Sequence, residues 1–317
     1  MRRKGLLVIL LVAAAVLVLG GVIGAQAKAI YIPVISKGFQ HQFWQAVRLG
    51  AEKAGKDYKV VVTYEGPETE AMVDKQMDML QTDLGKNPSA IVFAALDSKA
   101  AIPLLKDAQS KKIPIIAFDS GVDSDIPVTT CATDNVAAAA LAADKMGELI
   151  GGEGKVGVII HDQTSRTGID RGTGFLNEMK KKFPKIKIIG PQYGGGDHLK
   201  STDLAKAMIE ANPDIKGFFG ANEGSIIGVL NAVKELDMVG QITVIGYDSG
   251  KQQIDAIRSG EEAGAVQQDP IGIGYKAVEA AVKALKGQKV PKFIDTGFKW
   301  ADKDTIDNPD IAAVLYN

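Results

Sequence analysis

One local pattern occurs twice in this chain, far apart. The apolar run Pro114-Ile115-Ile116-Ala117 ends in Phe118-Asp119-Ser120-Gly121, and Val244-Ile245-Gly246 ends in Tyr247-Asp248-Ser249-Gly250. Short apolar runs of this kind read as buried strands. Each copy then places a carboxylate where the strand emerges, beside an aromatic ring and ahead of a glycine that permits a sharp exit. Open parallel α/β sheets hold their ligands at that edge. A second echo precedes each copy: Asn87-Pro88 introduces a strand ending near Leu96-Asp97-Ser98, and Asn212-Pro213 introduces one ending at Ala221-Asn222-Glu223. The repetition predicts two similar lobes, each offering polar groups at one edge.

The rest of the chain alternates in the same way. Strands are expected near residues 29–35, 58–64, 90–94, 113–118, 155–160, 185–190, 215–220, 242–247, 263–267 and 292–296, with amphipathic helices between them, for example over 43–55, 70–84, 135–150, 202–211 and 274–285. Over 70–84, Met72, Val73, Gln76, Met79 and Leu80 recur at helical spacing, so the methionines are expected in the core. Strict strand and helix alternation predicts α/β architecture: two doubly wound parallel sheets with helices on both faces. The periodicity breaks at residues 121–133, ahead of the helix start Asp134-Asn135, and again at Gln267-Gln268-Asp269-Pro270. These breaks mark crossings between lobes, which short connections would let open and close like a hinge.

The start of the chain reads as an export signal. Arg2, Arg3 and Lys4 precede an almost wholly apolar stretch from Leu6 to Ile23, followed by the small-x-small site Ala25-Gln26-Ala27. Residues 1–27 are expected to be a signal peptide cleaved near Ala27, the competing reading being an uncleaved anchor. No cysteine follows the apolar stretch, so no lipid is attached there, and Cys131, the sole cysteine, has no partner for an internal disulfide. The 317 residues, less the leader, suit two domains, and 46% hydrophobic with 24% charged residues is a globular composition. A net charge of −1 that includes the basic leader argues against a nucleic-acid partner.

Catalytic templates fit poorly. Gly152, Gly154 and Gly157 match G-x-G-x-x-G but precede a strand instead of following one into a helix, so the nucleotide reading fails its context. No G-x-S-x-G elbow surrounds any serine. His41, His161 and His198 are far apart in sequence with no H-E-x-x-H pair, and neither a metal nor a cofactor is expected. Asp119 and Asp248 facing one another as acid and base stays open.

Without chemistry, those groups bind hydroxyls. An ionised Asp accepts several short, strong hydrogen bonds, and Asn222 and Gln268 can each donate and accept, matching a polyol. Arg166 offers a fork of donors in a loop after the strand over 155–160, and Phe43 or Trp44 can pack on the C–H face of a ring. A neutral carbohydrate fits this set.

The segments SKGFQHQFWQAVRLGAE at 36–52, IPIIAFDSGVDSD with ATDN at 132–135, DRGTGF at 170–175, GFFGANEGSIIG at 217–228, VIGYDSG at 244–250 and QQDPIGIGYKA at 267–277 together resemble periplasmic sugar-binding proteins of ABC transporters, of the ribose and galactose type. The resemblance covers essentially the whole chain after the leader. It implies two like lobes joined by three crossings, residues 28–133 plus 269–295 and 134–268 plus 296–317. It also implies a monosaccharide, of the pentose or hexose class, trapped between them by hinge closure and delivered to membrane permease subunits from the periplasm. A monomer is expected, and a chemoreceptor is a possible further partner. The family's stacking aromatics fall on Phe43 and Trp44, the polar residue before them on His41, its strand-end aspartates on Asp119 and Asp248, its asparagine on Asn222 and its last amide on Gln268. Departures from the ribose pattern are Ser120 in place of arginine, Gln42 in place of proline, and Ile169 in place of an arginine, with replacement by Arg166 left open.

Each residue also has a plainer reading. Phe43 and Trp44 suit a core, Asp119 suits a turn, Asp248 and Asn222 suit helix caps, and Arg166 suits a solvated loop. The matched aromatic neighbours of the two aspartates favour binding, since caps alone would not need them. Gln267 and Gln268 point oppositely in a strand, and Gln268 is assigned to the ligand. Among other classes, a repressor core lacks its basic headpiece here, an exported glycosidase would need carboxylates at catalytic spacing, and a signal-molecule receptor of the same fold stays compatible.

Overall fold

In the computed structural model, which describes residues 29–316, the strands sort into two six-stranded sheets of the same order. The first holds β1 (Tyr31–Ile35), β2 (Val61–Glu65), β3 (Ile91–Phe93), β4 (Ile115–Phe118), β5 (Thr129–Ala132) and β11 (Phe293–Asp295), ordered β11-β5-β4-β3-β1-β2 with every pair parallel. The second holds β6 (Glu153–Ile160), β7 (Lys185–Tyr193), β8 (Ile215–Gly220), β9 (Thr243–Tyr247), β10 (Gly264–Gln268) and β12 (Phe298–Ala301), ordered β12-β10-β9-β8-β6-β7. Here only the β10–β12 pair is antiparallel. The chain passes from sheet to sheet three times: between β5 and β6, between β10 and β11, and between β11 and β12. The signal-peptide reading lies outside the described residues. Among the described residues no helix is long and apolar enough to cross a membrane.

Helices cover both faces of each sheet, which is why strands such as Ile115–Phe118 are apolar throughout. After the first sheet's strands come α1 (Gln42–Tyr58), α2 (Val73–Gly85), α3 (Ile102–Ser110) and α4 (Asn135–Leu149). After the second sheet's come α5 (Arg166–Lys182), α6 (His198–Ala211), α7 (Glu223–Glu235), α8 (Lys251–Ser259) and α9 (Pro270–Leu285), with α10 (Pro309–Ala312) near the end. Ile116 and Phe118 of β4 enter the core under α1 and α9, while Ile115 enters the one under α2 and α3, following the two-residue period of a strand. In the second sheet Val158 and Ile160 pack under α4 and α5, and Ile159 under α6 and α7. Backbones meet at glycines: a Cβ on Gly50 would strike the Ile271 carbonyl, one on Gly274 the Val47 carbonyl, and one on Gly174 the Val136 carbonyl.

Two strands escape the sequence reading. Thr129–Ala132 has only four residues and lies in the stretch read as a crossover, and Phe298–Ala301 is a half-exposed edge strand with a lysine in it. The helix expected from residue 70 begins at Val73, and Met72 is exposed, not in the core. The polar member of that helical stripe, Gln76, is fully buried. Its amide bonds Ser36 O and Ala94 O at 2.8 Å each and accepts from Leu96 N–H at 3.0 Å, tying the ends of β1 and β3 to α2.

Candidate functional site

The two strand-end aspartates share a backbone. Asp119 has φ 53° and Asp248 φ 82°, both left-handed, and each N–H donates to the next strand: Asp119 to Cys131 O at 2.9 Å, Asp248 to Val266 O at 2.8 Å. The sharp exit expected of the glycines is made by the aspartates themselves, and Gly250 has an ordinary φ of −55°. A short polar side chain lets Asp occupy this region at tolerable cost, and such conformations collect at functional sites.

Both side chains line one space between the sheets, walled by buried groups. Asp119 is 5% exposed, and its carboxylate accepts no hydrogen bond from the described residues. Burial pushes its pKa up to about 6, against the opposing pull of Lys37 and Arg171. Asp248 is held differently: Oδ2 accepts from Glu223 N–H at 3.0 Å and Oδ1 from Gln268 Nε2 at 2.7 Å. Each of its oxygens keeps a lone pair for a guest. Among the described residues Gln268 Oε1 has no partner, whereas Gln267 does not line the space and its amide donates to Ala265 O.

Aromatic and polar groups from α1 complete one wall. Phe43 and Trp44 are both buried, both line the space, and meet edge to face with centroids 4.9 Å apart. Trp44 Nε1 donates to Glu70 Oε1 at 2.8 Å. Burial works against ionising Glu70, but the opposing pull of nearby cationic groups, Lys37 foremost, outweighs it and leaves the pKa below the ordinary glutamate value. His41 lines the space and stacks on His198 of the opposite lobe at 5.6 Å. Asn222 does two things: Oδ1 caps α7 by accepting from Ser225 N–H at 2.9 Å, and the residue lines the space.

The arginine at the site is Arg171, not Arg166. Arg166 is over a third exposed at the start of α5, paired with Asp170 at 2.5 Å and Asp123 at 3.4 Å. One turn further along, Arg171 faces inward and is buried. Nε donates to Asn135 Oδ1 at 2.7 Å, Nη1 to Ala221 O at 2.8 Å, and the guanidinium lies 3.8 Å above the Tyr247 ring. These contacts fix the fork before a guest arrives. The sequence reading also missed Lys37, whose buried Nζ donates to Thr167 Oγ1 at 3.1 Å from across the two lobes, and His161, whose Nε2 meets the same hydroxyl at 3.1 Å. Burial keeps His161 far below its ordinary pKa and therefore neutral. Lys37 follows the β1 run as Asp119 follows β4, so strand-end logic could have found it; Glu70, in a loop, gave no comparable signal. Among the described residues no cluster of His, Cys, Asp and Glu could hold a metal ion.

A twice-repeated parallel sheet with a polar, aromatic-lined chamber between the copies defines a two-lobed solute-binding protein. The sequence profile of the periplasmic binding protein domain matches residues 31–289, and the chain belongs to that family. It is 27% identical over 264 residues to the D-allose-binding periplasmic protein of Escherichia coli strain K12, covering 81% of this chain and 85% of that one. A crystal structure of an ABC transporter solute-binding protein from Agrobacterium vitis with bound D-fucose superposes with a TM-score of 0.88 at 33% identity, over 90% of this chain and 100% of that one. The crystal structure of a carbohydrate transporter solute-binding protein from Agrobacterium radiobacter in complex with D-arabinose superposes at 0.87 with 33% identity, over 92% and 100%.

Proposed function

We propose that this chain is the periplasmic solute-binding component of an ABC transporter, which captures one pentose or hexose ring between its lobes and presents it to membrane permease subunits. The carrying observation is the convergence of Asp119, from one sheet, and Asp248, from the other, on a single closed chamber. Its lining pairs carboxylates and amides with the Phe43 and Trp44 rings, the mix of hydroxyl partners and C–H platforms that a sugar ring needs. In this reading Asp119, Asp248 and Gln268 accept from hydroxyls, Asn222 and Arg171 donate, His41 adds a polar edge, and Phe43 and Trp44 receive the C–H face. The lobes are residues 28–133 plus 269–295 and 134–268 plus 296–317, and the protein acts as a monomer without catalysis. A chemoreceptor would read the same closed surface as the permease. The sugars named for the relatives, D-allose, D-fucose and D-arabinose, make aldoses the first to test.

A thermal-shift panel of pentoses, hexoses, deoxysugars and polyols tests this reading. A ligand at a hundredfold excess over its Kd adds about 2.7 kcal/mol of stability, so a true ligand raises Tm by several degrees. A flat panel, with calorimetry also silent, would sink it. Appearance of a product from an incubated sugar would move the protein to the enzyme class.

A further inference from the structure

We propose that Gln42 and Glu223 are paired positioning residues: each caps a helix of the opposite lobe, so the closed arrangement is stabilised before any sugar enters. Glu223, at the start of α7 in the second lobe, accepts from two backbone N–H groups at the start of α1 in the first: Gln42 at 3.0 Å through Oε1 and Phe43 at 3.1 Å through Oε2. Gln42 answers in the other direction, its Oε1 accepting from Lys251 N–H, the first residue of α8 in the second lobe, at 2.7 Å. The exchange is reciprocal, one cap given for one received.

The helices concerned lack caps of their own. Asp134, Ser165, Asp197, Asn222 and Asp269 each cap the helix they precede with their own side chain. The residue before α1, His41, makes no such bond, and the residue before α8 is Gly250, which has no side chain to offer. The first N–H groups of a helix have no partner within it, so at α1 and α8 they depend on what the other lobe brings. A carboxylate there also meets the positive end of the α1 dipole, which offsets the cost of burying Glu223. Tyr316 adds a third contact: its ring packs against Phe43, and its hydroxyl donates to Glu223 Oε2 at 3.4 Å while accepting from Ser249 N–H at 3.1 Å. Phe43 thus carries both a latch bond and one aromatic wall of the chamber, so seating the latch seats the ring platform.

Proline at position 42 would remove the Gln42 N–H bond to Glu223 and the amide oxygen that caps Lys251, leaving Phe43 N–H as the one backbone donor to Glu223 in the exchange. It is also well accommodated as the first residue of a helix, so Gln42→Pro leaves α1 intact. The test uses the ligand-free protein and reads small-angle scattering together with amide hydrogen exchange. Gln42→Pro is expected to give a larger radius of gyration than the native chain, with exchange at Phe43 and Lys251 faster by about tenfold or more. Glu223→Gln, which keeps the volume, separates a latch from two local caps. Lys251 is capped by Gln42 and not by Glu223, so its exchange quickens in this variant only if the seam opens as a unit. Quickening at Phe43 alone, or scattering unchanged in both folded variants, overturns the proposal. The consequence for sugar affinity rests on the proposed function, but these readouts use no sugar, so a failed sugar panel and a failed latch are told apart.

Discussion

Asp119 and Asp248 sit at equivalent places in two sheets of the same strand order, with the same left-handed turn and the same backbone bond to the next strand, yet their carboxylates lead different lives. Asp248 is tied by Glu223 N–H and Gln268 Nε2, so it builds the wall as well as facing the chamber. Asp119 has no bond from the described residues and is buried against its preference for water. Duplicated topology delivers two acids to one place, and the neighbours then divide the labour. One is tied into the wall, and the other faces the same space with no hydrogen bond to its carboxylate from the described residues.

The largest effect that would break this contrast belongs to Asp119. Asp119→Asn keeps the left-handed turn, which asparagine tolerates, and removes the charged acceptor. Affinity for whichever sugar the panel identifies is expected to fall about a hundredfold or more in calorimetry. The same change should make the ligand-free protein more stable at pH 8. Because the folded pKa is raised, Asp119's contribution is whole below the ordinary 3.8 and is lost as pH climbs through about 6. Relief of on the order of 1–3 kcal/mol is expected in thermal melts at pH 8 and vanishes at pH 4. In the native protein affinity should fall as pH drops below about 6, and this slope should be absent from Asp119→Asn. A variant that binds normally, or that melts earlier at pH 8, would remove the contrast.

Asp248→Asn should act with the opposite sign on stability. Its amide nitrogen cannot accept, so one of the two bonds from Glu223 and Gln268 is lost, at about 1–3 kcal/mol in chemical denaturation. Affinity falls as well, by an expected tenfold or so. Equal melting of the two aspartate variants at pH 8 would show that the environments are alike after all. The smallest effect sharpens the assignment of the arginines. Arg166→Ala removes two partly exposed ion pairs and should leave sugar affinity within about twofold, a surface change of under 1 kcal/mol, and an unchanged Tm is expected. A tenfold loss of binding would return Arg166 to the site.

Much of the molecule was legible because burial leaves a mark on the chain. Runs such as Ile115–Phe118 and Thr243–Tyr247 announce strands covered on both faces, and the Asp134-Asn135 helix start is met by an actual side-chain cap. Thr129–Ala132 left no such mark, being too short for its pattern to stand out from the turn before it. The arginines show a different limit. Arg166 and Arg171 lie five residues apart on α5, and nothing in their local spelling says which turn of the helix faces the chamber. That is set by how α5 packs on α4 through Gly174, and by the Tyr247 ring supplied by a distant strand.

The amino-acid order by itself determined the alternation of strand and helix, the two-lobed architecture and the pair of acids at matching strand ends. All of these follow from local periodicity and from a repeat within the chain. Tertiary structure decided which cation meets those acids, which acid is spoken for, and that helices α1 and α8 borrow their caps across the seam. The physical reason is that a hydrogen bond or a desolvated charge depends on what lies within a few ångströms in space. Partners such as Gln42 and Glu223, remote along the chain, are brought within that reach only when the lobes meet.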